Sequence, residues 1–325
     1  MIRNYLYKIL LIFLFTGCIS EYNPHKAVGK PTEVIVISKA EVYSEVESLL
    51  VQTLERTIYT PTTEHIFNIK QITPDEFPKF RYRKNCLILG FIEDALINSV
   101  LAPASRKKLL SGESYVFGSE GLFVSGQCVL VIAGPTLHKL KEVVHNNSEL
   151  IFNYFAEAVR KRIEVALYKD GYQEALSQKL HSEYGFSIKI PKNWVIANKE
   201  FGFVEFIHHR PDRIISIYCE AIPGVELNKT QAIGIRDKLG REYYDGDYVE
   251  KELTSFYWVE FQGIRTGKLD GIWQNEEKVM GGPFRTYFFW KEGRFYVIDF
   301  HIFAPGEKKW KWLQQLEVIC GTFSP

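Results

Sequence analysis

The sequence predicts an α+β protein of two domains, each a mainly antiparallel sheet packed with helices. Three observations carry this expectation. The chain has 325 residues, more than one hydrophobic core usually serves. Its hydrophobic fraction of 46% with 24% charged residues is that of a globular chain, which excludes a disordered tail or a fibrous repeat. Strand-like and helix-like segments alternate along it in a mixed order, and all 6 tryptophans fall after residue 190. That shift, with a polar helical stretch over 172–183, separates a domain at 32–178 from one at 179–325.

The first domain opens on 33–38 (EVIVIS), β-branched and so a strand. Val42, Val46, Leu49, Leu50 and Leu54 recur at helical spacing and predict a helix over 41–56, ended by Tyr59-Thr60-Pro61. Residues 64–70 read as a second strand, and Pro74 and Pro78 bracket a loop. The unbroken apolar run at 85–91 (NCLILGF) fits a central strand. A short helix over 103–110 follows, then short strands at 114–117 and 122–124 separated by Gly118 and Gly121, then a central strand at 127–133. From Thr136 to Lys169 the apolar residues keep a helical period, and His145-Asn146-Asn147 divide the stretch into two helices.

The second domain begins with a strand over 184–190 (YGFSIKI) and a turn at Pro191-Lys192-Asn193-Trp194. Strands over 201–209 and 213–221 form a hairpin through Arg210-Pro211-Asp212. Thr230 caps a helix that runs to Tyr244. Four strands follow, near 255–262, 264–274, 284–291 and 295–303, and Pro305-Gly306 start a last helix ending at Cys320. The segment GFSIKIPKNW resembles the first strand and turn of PsbP-like and Mog1-like modules, which implies an antiparallel sheet wrapped by helices for this domain.

The N-terminus sets the expected location. Arg3 and Lys8 form a positive region, and Ile9 to Phe15 is an uninterrupted apolar run. A bilayer span needs about 20 apolar residues, so the run reads as a signal peptide over 1–17. Small residues Thr16-Gly17 and then Cys18 resemble the lipobox of bacterial lipoproteins, with Phe15 where leucine is usual. That resemblance implies acylation of Cys18 after cleavage, with 18–31 as a polar tether. A single acyl chain holds a protein to a membrane only marginally, whereas two or three hold it durably. Cleavage removes Arg3 and Lys8 and turns an excess of one base into an excess of one acid, which argues against a nucleic-acid partner. Of the 5 cysteines, Cys86, Cys128, Cys219 and Cys320 remain. No C-x-x-C pair occurs, each sits in an apolar segment, and the expected role is that of a small buried hydrophobe.

Several segments taken together, GCISEYNPHKAVGKPTEVIVI, TPTTEHIFNI, RKNCLIL, YGFSIKIPKNW, GIWQNEEKVMGGPF and FAPGEKKWKWLQQLE, resemble an uncharacterised family of Bacteroidota lipoproteins catalogued as a domain of unknown function, number 4837. The resemblance would cover almost the whole mature chain. It implies an envelope lipoprotein, and no reaction. The family pattern places an arginine before the Gly-x-Trp of 271–273. Asp270 stands there in this chain, and Arg265 is the nearby arginine that would replace it.

Two constellations are candidates for function. Trp273, Met280, Gly281, Gly282, Pro283 and Phe284 combine aromatic anchors with a Gly-Gly-Pro stretch suited to a close backbone approach, so they form a candidate binding surface. The competing reading is a tight turn with Trp273 and Phe284 in the core. Asp299 and His301 lie at i, i+2 on one face of the strand FYVIDFHIF and are candidate catalytic residues. The competing reading is a hydrogen-bonded polar pair. No hydrolase or zinc-protease motif accompanies them. His208-His209 point to opposite strand faces and cannot share a metal, and no metal or cofactor is expected. The basic run at 308–312 reads as a solvated helix face with Trp310 and Leu313 turned inward, and the cluster Arg81, Arg83, Lys84 reads as a solvated face as well. The expectation is a membrane-anchored envelope lipoprotein, held through lipid on Cys18 at the outer membrane. It would be a non-catalytic binding or assembly module with an envelope protein or glycan partner. The alternatives are an envelope hydrolase acting on glycan or peptide, and a small-ligand carrier.

Overall fold

A computed structural model describes residues 26–325 except Val225. The expected signal peptide at 1–17, Cys18 and most of the expected tether lie outside the described residues.

The first domain runs β1 (Glu33–Ile37), α1 (Ala40–Leu54), β2 (Thr57–Thr60), β3 (Thr62–His65), β4 (Asn68–Ile72), α2 (Phe77–Phe80), β5 (Asn85–Phe91), α3 (Ala95–Val100), α4 (Pro103–Leu110), β6 (Tyr115–Glu120), β7 (Cys128–Gly134), α5 (Leu137–Asn146) and α6 (Ser148–Leu167). Its sheet has the order β4-β1-β5-β7-β6, and β2 and β3 form a separate hairpin. Helical crossovers bring β4, β1, β5 and β7 together in parallel, and only β6 joins antiparallel. The unbroken apolar runs are the local cause. Val34, Val36, Leu87, Leu130 and Ile132 face α1, α5 and α6, while Ile35, Ile37, Ile88, Val129 and Val131 face the short helices on the other side. A strand covered on both faces is apolar throughout, as parallel strands in layered folds are.

The second domain runs α7 (Glu174–Tyr184), β8 (Val195–Glu200), β9 (Phe203–His208), β10 (Asp212–Glu220), α8 (Lys229–Tyr243), β11 (Tyr248–Val249), β12 (Ser255–Phe261), β13 (Ile264–Asn275), β14 (Met280–Lys291), β15 (Arg294–Phe303) and α9 (Trp310–Cys320). Its eight strands are antiparallel in the order β11-β13-β14-β15-β10-β9-β8, with β12 also paired to β13. Alternation sorts the two faces. Tyr296, Ile298, Phe300 and Ile302 pack with Leu180 of α7 and Leu313, Leu316 and Ile319 of α9. Phe295 and Val297 pack with Ile233 and Leu239 of α8 on the opposite face.

The chain is α+β, as expected. The antiparallel character expected of both sheets holds for the eight-stranded one, whereas the five-stranded sheet has a single antiparallel pairing. Residues 122–124 form no strand, and neither do 184–190. In the latter, Phe186, Ile188 and Ile190 alternate into the core while Ser187 bridges to Ser324. Helix α8 is capped by Asn228 and not Thr230: the Asn228 side chain accepts from Gln231 N at 3.0 Å, and the Gln231 side chain accepts from Asn228 N at 3.0 Å. Leu180 is buried in the second core, so α7 belongs to that domain, and a division at 178/179 runs through the helix.

The two domains are joined by a shared helix cap. Helix α9 has no side-chain cap of its own. Glu64 of β3 supplies it, accepting from Lys309 N at 2.7 Å and Trp310 N at 3.1 Å, and the carboxylate is steadied by the Thr60 hydroxyl at 2.5 Å. A carboxylate at a helix N-terminus satisfies orphan amides and opposes the helix dipole, contributing about 1 kcal/mol. Trp310 packs against the first core, Ile58 of β2 touches both cores, and β2 lies against β13 and β14.

Candidate functional site

Three polar arrangements compete for a functional role. The first lies between α8 and the sheet. Asp299 and His301 share one face of β15, as their spacing predicts, and His301 Nδ1 is 3.2 Å from Asp299 Oδ2. Arg236 of α8 completes an ion pair, Nε to Oδ1 at 3.3 Å and Nη2 to Oδ2 at 3.5 Å. The Thr286 hydroxyl, directly across the ladder on β14, donates to Oδ1 at 2.5 Å. The rings of Tyr244 and Trp273 stand edge-on to His301, at 5.1 and 5.2 Å between centroids. The Tyr244 and Ser216 hydroxyls are hydrogen-bonded to each other. Gly240 lets α8 come this close, since a Cβ there would stand 1.8 Å from the Asp247 carbonyl oxygen.

This group is sealed. Arg236, Asp299 and His301 are 0%, 1% and 2% exposed. Burial works against the charge on Asp299, but Arg236, His301 and Thr286 outweigh it and hold the carboxyl below its ordinary value. A catalytic acid or base must touch its substrate, and these groups are closed off from solvent. Here Asp299 is bonded in a core ion pair with Arg236 and His301. Both residues were found by their spacing. Arg236, 63 residues upstream of Asp299, was not.

The candidate binding surface is also interior. Trp273 is 3% and Phe284 1% exposed, and Gly282 and Pro283 are buried in β14. Met280 and Gly281 are half-buried at the start of that strand. The turn precedes them, where Val279 takes φ 50 and is exposed. Gly282 is required by packing rather than by a partner. A Cβ there would sit 2.0 Å from the Ile302 carbonyl oxygen, which also accepts from Trp273 Nε1 at 3.3 Å. Gly-Gly-Pro therefore marks a close sheet contact and not an exposed loop.

The second arrangement lies on the α9 face of the same sheet. Asp270, in the place of the family's arginine, stands directly across from Arg285, with Arg285 Nε at 2.6 Å from its Oδ1. Arg285 also pairs with Glu317 of α9. Lys268 lies 3.3 Å from Asp270 and 3.7 Å from Glu317, and the Tyr257 hydroxyl donates to Asp270. Burial lifts the Asp270 carboxyl to about 6 against the opposing pull of Arg285. Burial, with Arg285 adding to it, lowers the Lys268 ammonium to about 8. Glu317 stays below its ordinary value because Arg285 and Lys268 outweigh its burial. Arg265, the nearby arginine, lies apart from this cluster. Its guanidinium lies 4.0 Å above the Trp258 ring. With two acids and two bases this cluster is internally balanced.

The third arrangement is a cavity of about 250 Å³ between the end of α6 and the second domain. Its lining includes Asp170, Lys192, Asn193, His208, Arg213 and Gln315. His208 and His209 part company as predicted. His208 Nε2 is 2.9 Å from Asn193 Nδ2, and His209 Nδ1 is 2.8 Å from Asp212. Burial and then Arg213 lower the His208 imidazole below its ordinary value. Among the described residues no group of three or more His, Cys, Asp or Glu is placed to hold a metal. Cys86, Cys128, Cys219 and Cys320 are buried free thiols, and burial pushes Cys86 and Cys128 up to about 12. As expected, Trp310 and Leu313 turn inward, but the run is only partly solvated: Lys309 is buried with its amide capped, and Lys311 pairs with Glu307 at 3.2 Å. Arg83 reaches Glu33 at 3.8 Å.

The fold and these sites define a two-domain α+β protein whose sequence-flagged chemical residues are core residues. Residues 173–322 match the family described as Domain of unknown function (DUF4837), and residues 27–168 match Domain of unknown function (DUF8532). The second domain thus matches the first of these families, the one the sequence resembles, and the first domain matches the other. The resemblance thus holds for one half of the chain under the expected family and for the other half under a second, equally uncharacterised one. No curated protein matches the chain.

Solved structures that match include a protein from Bacteroides thetaiotaomicron VPI-5482, at 12% identity and TM-score 0.28 over 43% of this chain and 44% of that one. The cyanobacterial PsbP of Synechocystis sp. PCC 6803 matches at 14% identity and TM-score 0.31 over 43% of this chain and 86% of its own. LpqN of Mycobacterium tuberculosis, a protein involved in cell envelope biogenesis, matches at 12% identity and TM-score 0.29 over 43% and 82%. The matched part spans less than half the length of the Bacteroides protein. Among the described residues no helix is long and apolar enough to cross a membrane.

Proposed function

We propose that this chain is a lipid-anchored protein of the bacterial cell envelope, held at the outer membrane through Cys18, and that it acts as a non-catalytic binding or assembly module. The anchor rests on the charged start, the short apolar run and the small residues before Cys18. The module reading rests on one observation: Asp299 and His301, the pair with the best catalytic spacing, are closed off from solvent and neutralised by Arg236. A hydrolase would need that pair at the floor of a cleft. A carrier of apolar ligands would need an apolar pocket, and the cavity between the domains is lined by charged and amide groups. A binding module needs a stiff frame, and the cap that Glu64 places on α9 supports one.

The anchor is tested by metabolic labelling with a clickable fatty acid. Wild-type protein takes up label and Cys18→Ala does not; equal labelling of both refutes it. The module reading is tested by cross-linking in cells and mass spectrometry. Recovery of a defined envelope protein or glycan is the expected result. Turnover of an envelope glycan or peptide by the purified protein would replace the module reading with the enzyme one.

A further inference from the structure

Arg213 of β10 is a buried cation short of partners. It is 5% exposed. Its guanidinium carries five N–H donors. One terminal nitrogen donates to the Gln315 side chain and the other faces His208 Nδ1, while Nε has no hydrogen-bond partner. Both of these neighbours are neutral acceptors: an imidazole whose Nδ1 accepts from a guanidinium does not carry that proton itself. Among the described residues no carboxylate pairs with Arg213, although the charge of Glu307 is felt there. The indole of Trp312 lies 4.5 Å from the guanidinium carbon and that of Trp194 lies 5.9 Å away. Stacking on two indoles returns part of what burial takes from a cation, but an ion without a counter-charge still costs several kcal/mol. Two other arginines of this domain are treated differently: buried Arg236 faces Asp299, and half-buried Arg285 faces Asp270 and Glu317.

The unpaired guanidinium lines the 250 Å³ cavity. Lys192 and Asp170 are exposed lining residues, and neither forms an ion pair within the described chain. With His208 neutral, the lining carries one more base than acid. Asn193 adds a carboxamide beside His208. The space suits a small group rather than a whole drug-sized molecule.

We propose that this cavity binds a small oxyanion, a carboxylate or a phosphate group, with the Arg213 guanidinium as its anchor and Lys192 as a second positive contact. The oxyanion supplies the counter-charge that Arg213 lacks, and the planar guanidinium is the donor best matched to it. Because the cavity is built from α6, α9 and the β9–β10 hairpin, an occupied site also ties the two domains together. This inference rests on the reading of the chain as a binding module and gives that module a ligand class.

The test uses the full-length protein in detergent micelles and chloride-free buffer at constant ionic strength. Sodium phosphate and sodium acetate are titrated separately while the unfolding midpoint and tryptophan fluorescence are followed, since Trp194 and Trp312 adjoin Arg213. The expected result is a saturable rise in midpoint with at least one of the two anions, and which one responds identifies the group. Arg213→Gln weakens that response by about tenfold or more. Because Arg213→Gln removes a buried group, two exposed substitutions of opposite sign give an independent reading. Lys192→Gln weakens binding about threefold and Asp170→Asn tightens it about threefold. Absence of a saturable response to either anion overturns the proposal. So does a response unchanged by both exposed substitutions. If Cys18 labelling and cross-linked partner recovery persist while the anion response is absent, the ligand class fails and the module reading stands.

Discussion

One sheet carries two charged clusters, back to back. On the α8 face, Arg236, Asp299 and His301 are closed off and bonded to one another. On the α9 face, Lys268, Asp270, Arg285 and Glu317 keep side-chain exposures between 12% and 27% and shifted ionisation. The ingredients are alike, and the difference is access to water. Where water is excluded, removing one partner strands the other, and the charge behaves as a core contact. Where water still reaches the groups, charge can be gained or lost, and the cluster responds to pH. A well-spaced Asp and His are therefore no guide to chemistry until their burial is known.

Asp299→Ala should separate the two clusters most sharply. It leaves Arg236 buried without its counter-ion and should cost about 3–5 kcal/mol in denaturant unfolding. The matching Asp270→Ala should cost about 1 kcal/mol, because solvent screens what remains. Equal losses would erase the distinction. Trp273→Ala comes close behind, at about 3–5 kcal/mol, since the indole fills the sealed side and donates to Ile302 O. A loss below about 1 kcal/mol would return Trp273 to the candidate surface residues.

Glu64→Ala should cost about 1–2 kcal/mol by uncapping α9, and should let the two domains unfold in separate steps. A single unchanged transition would mean that the cap does not couple them. The pH dependence of Asp270 gives a smaller effect, of about 1–2 kcal/mol after allowance for its exposure. Its carboxyl titrates near 6 in the fold, above the ordinary carboxylate value. Between these values the folded chain holds more protons than the unfolded one, so stability falls as pH rises from about 4 to 6. Asp270→Asn should remove this slope, and a midpoint–pH profile parallel to wild type would contradict it. Lys311→Ala, on an exposed pair, should change stability by less than about 0.5 kcal/mol.

Elements with strong local signals were legible from the residues: helix 137–167 with its break at 145–147, the unbroken runs of β5 and β7, and the alternation in β15 that places Asp299 and His301 on one face. Gly281-Gly282-Pro283 misled, because glycine is used both for turns and for backbones that approach within a sheet, and the two uses look the same along a chain. Arg236, Arg285, Glu317 and Arg213 carried no local mark. A lone arginine in a helix or strand gains meaning only from what folding sets opposite it.

The residues alone determined most of the strands and helices, and that Cys18 follows a signal-like run, because those depend on period, length and neighbours in the chain. The tertiary structure decided the rest. It made the first sheet mainly parallel, since strand direction is set by where a crossover lands. It enclosed Asp299 and His301, since burial is a property of what packs above them. It set Glu64 on the end of α9 and left Arg213 without a counter-charge beside a cavity, because those contacts join residues far apart in sequence, and their energies exist only once distance and dielectric are fixed.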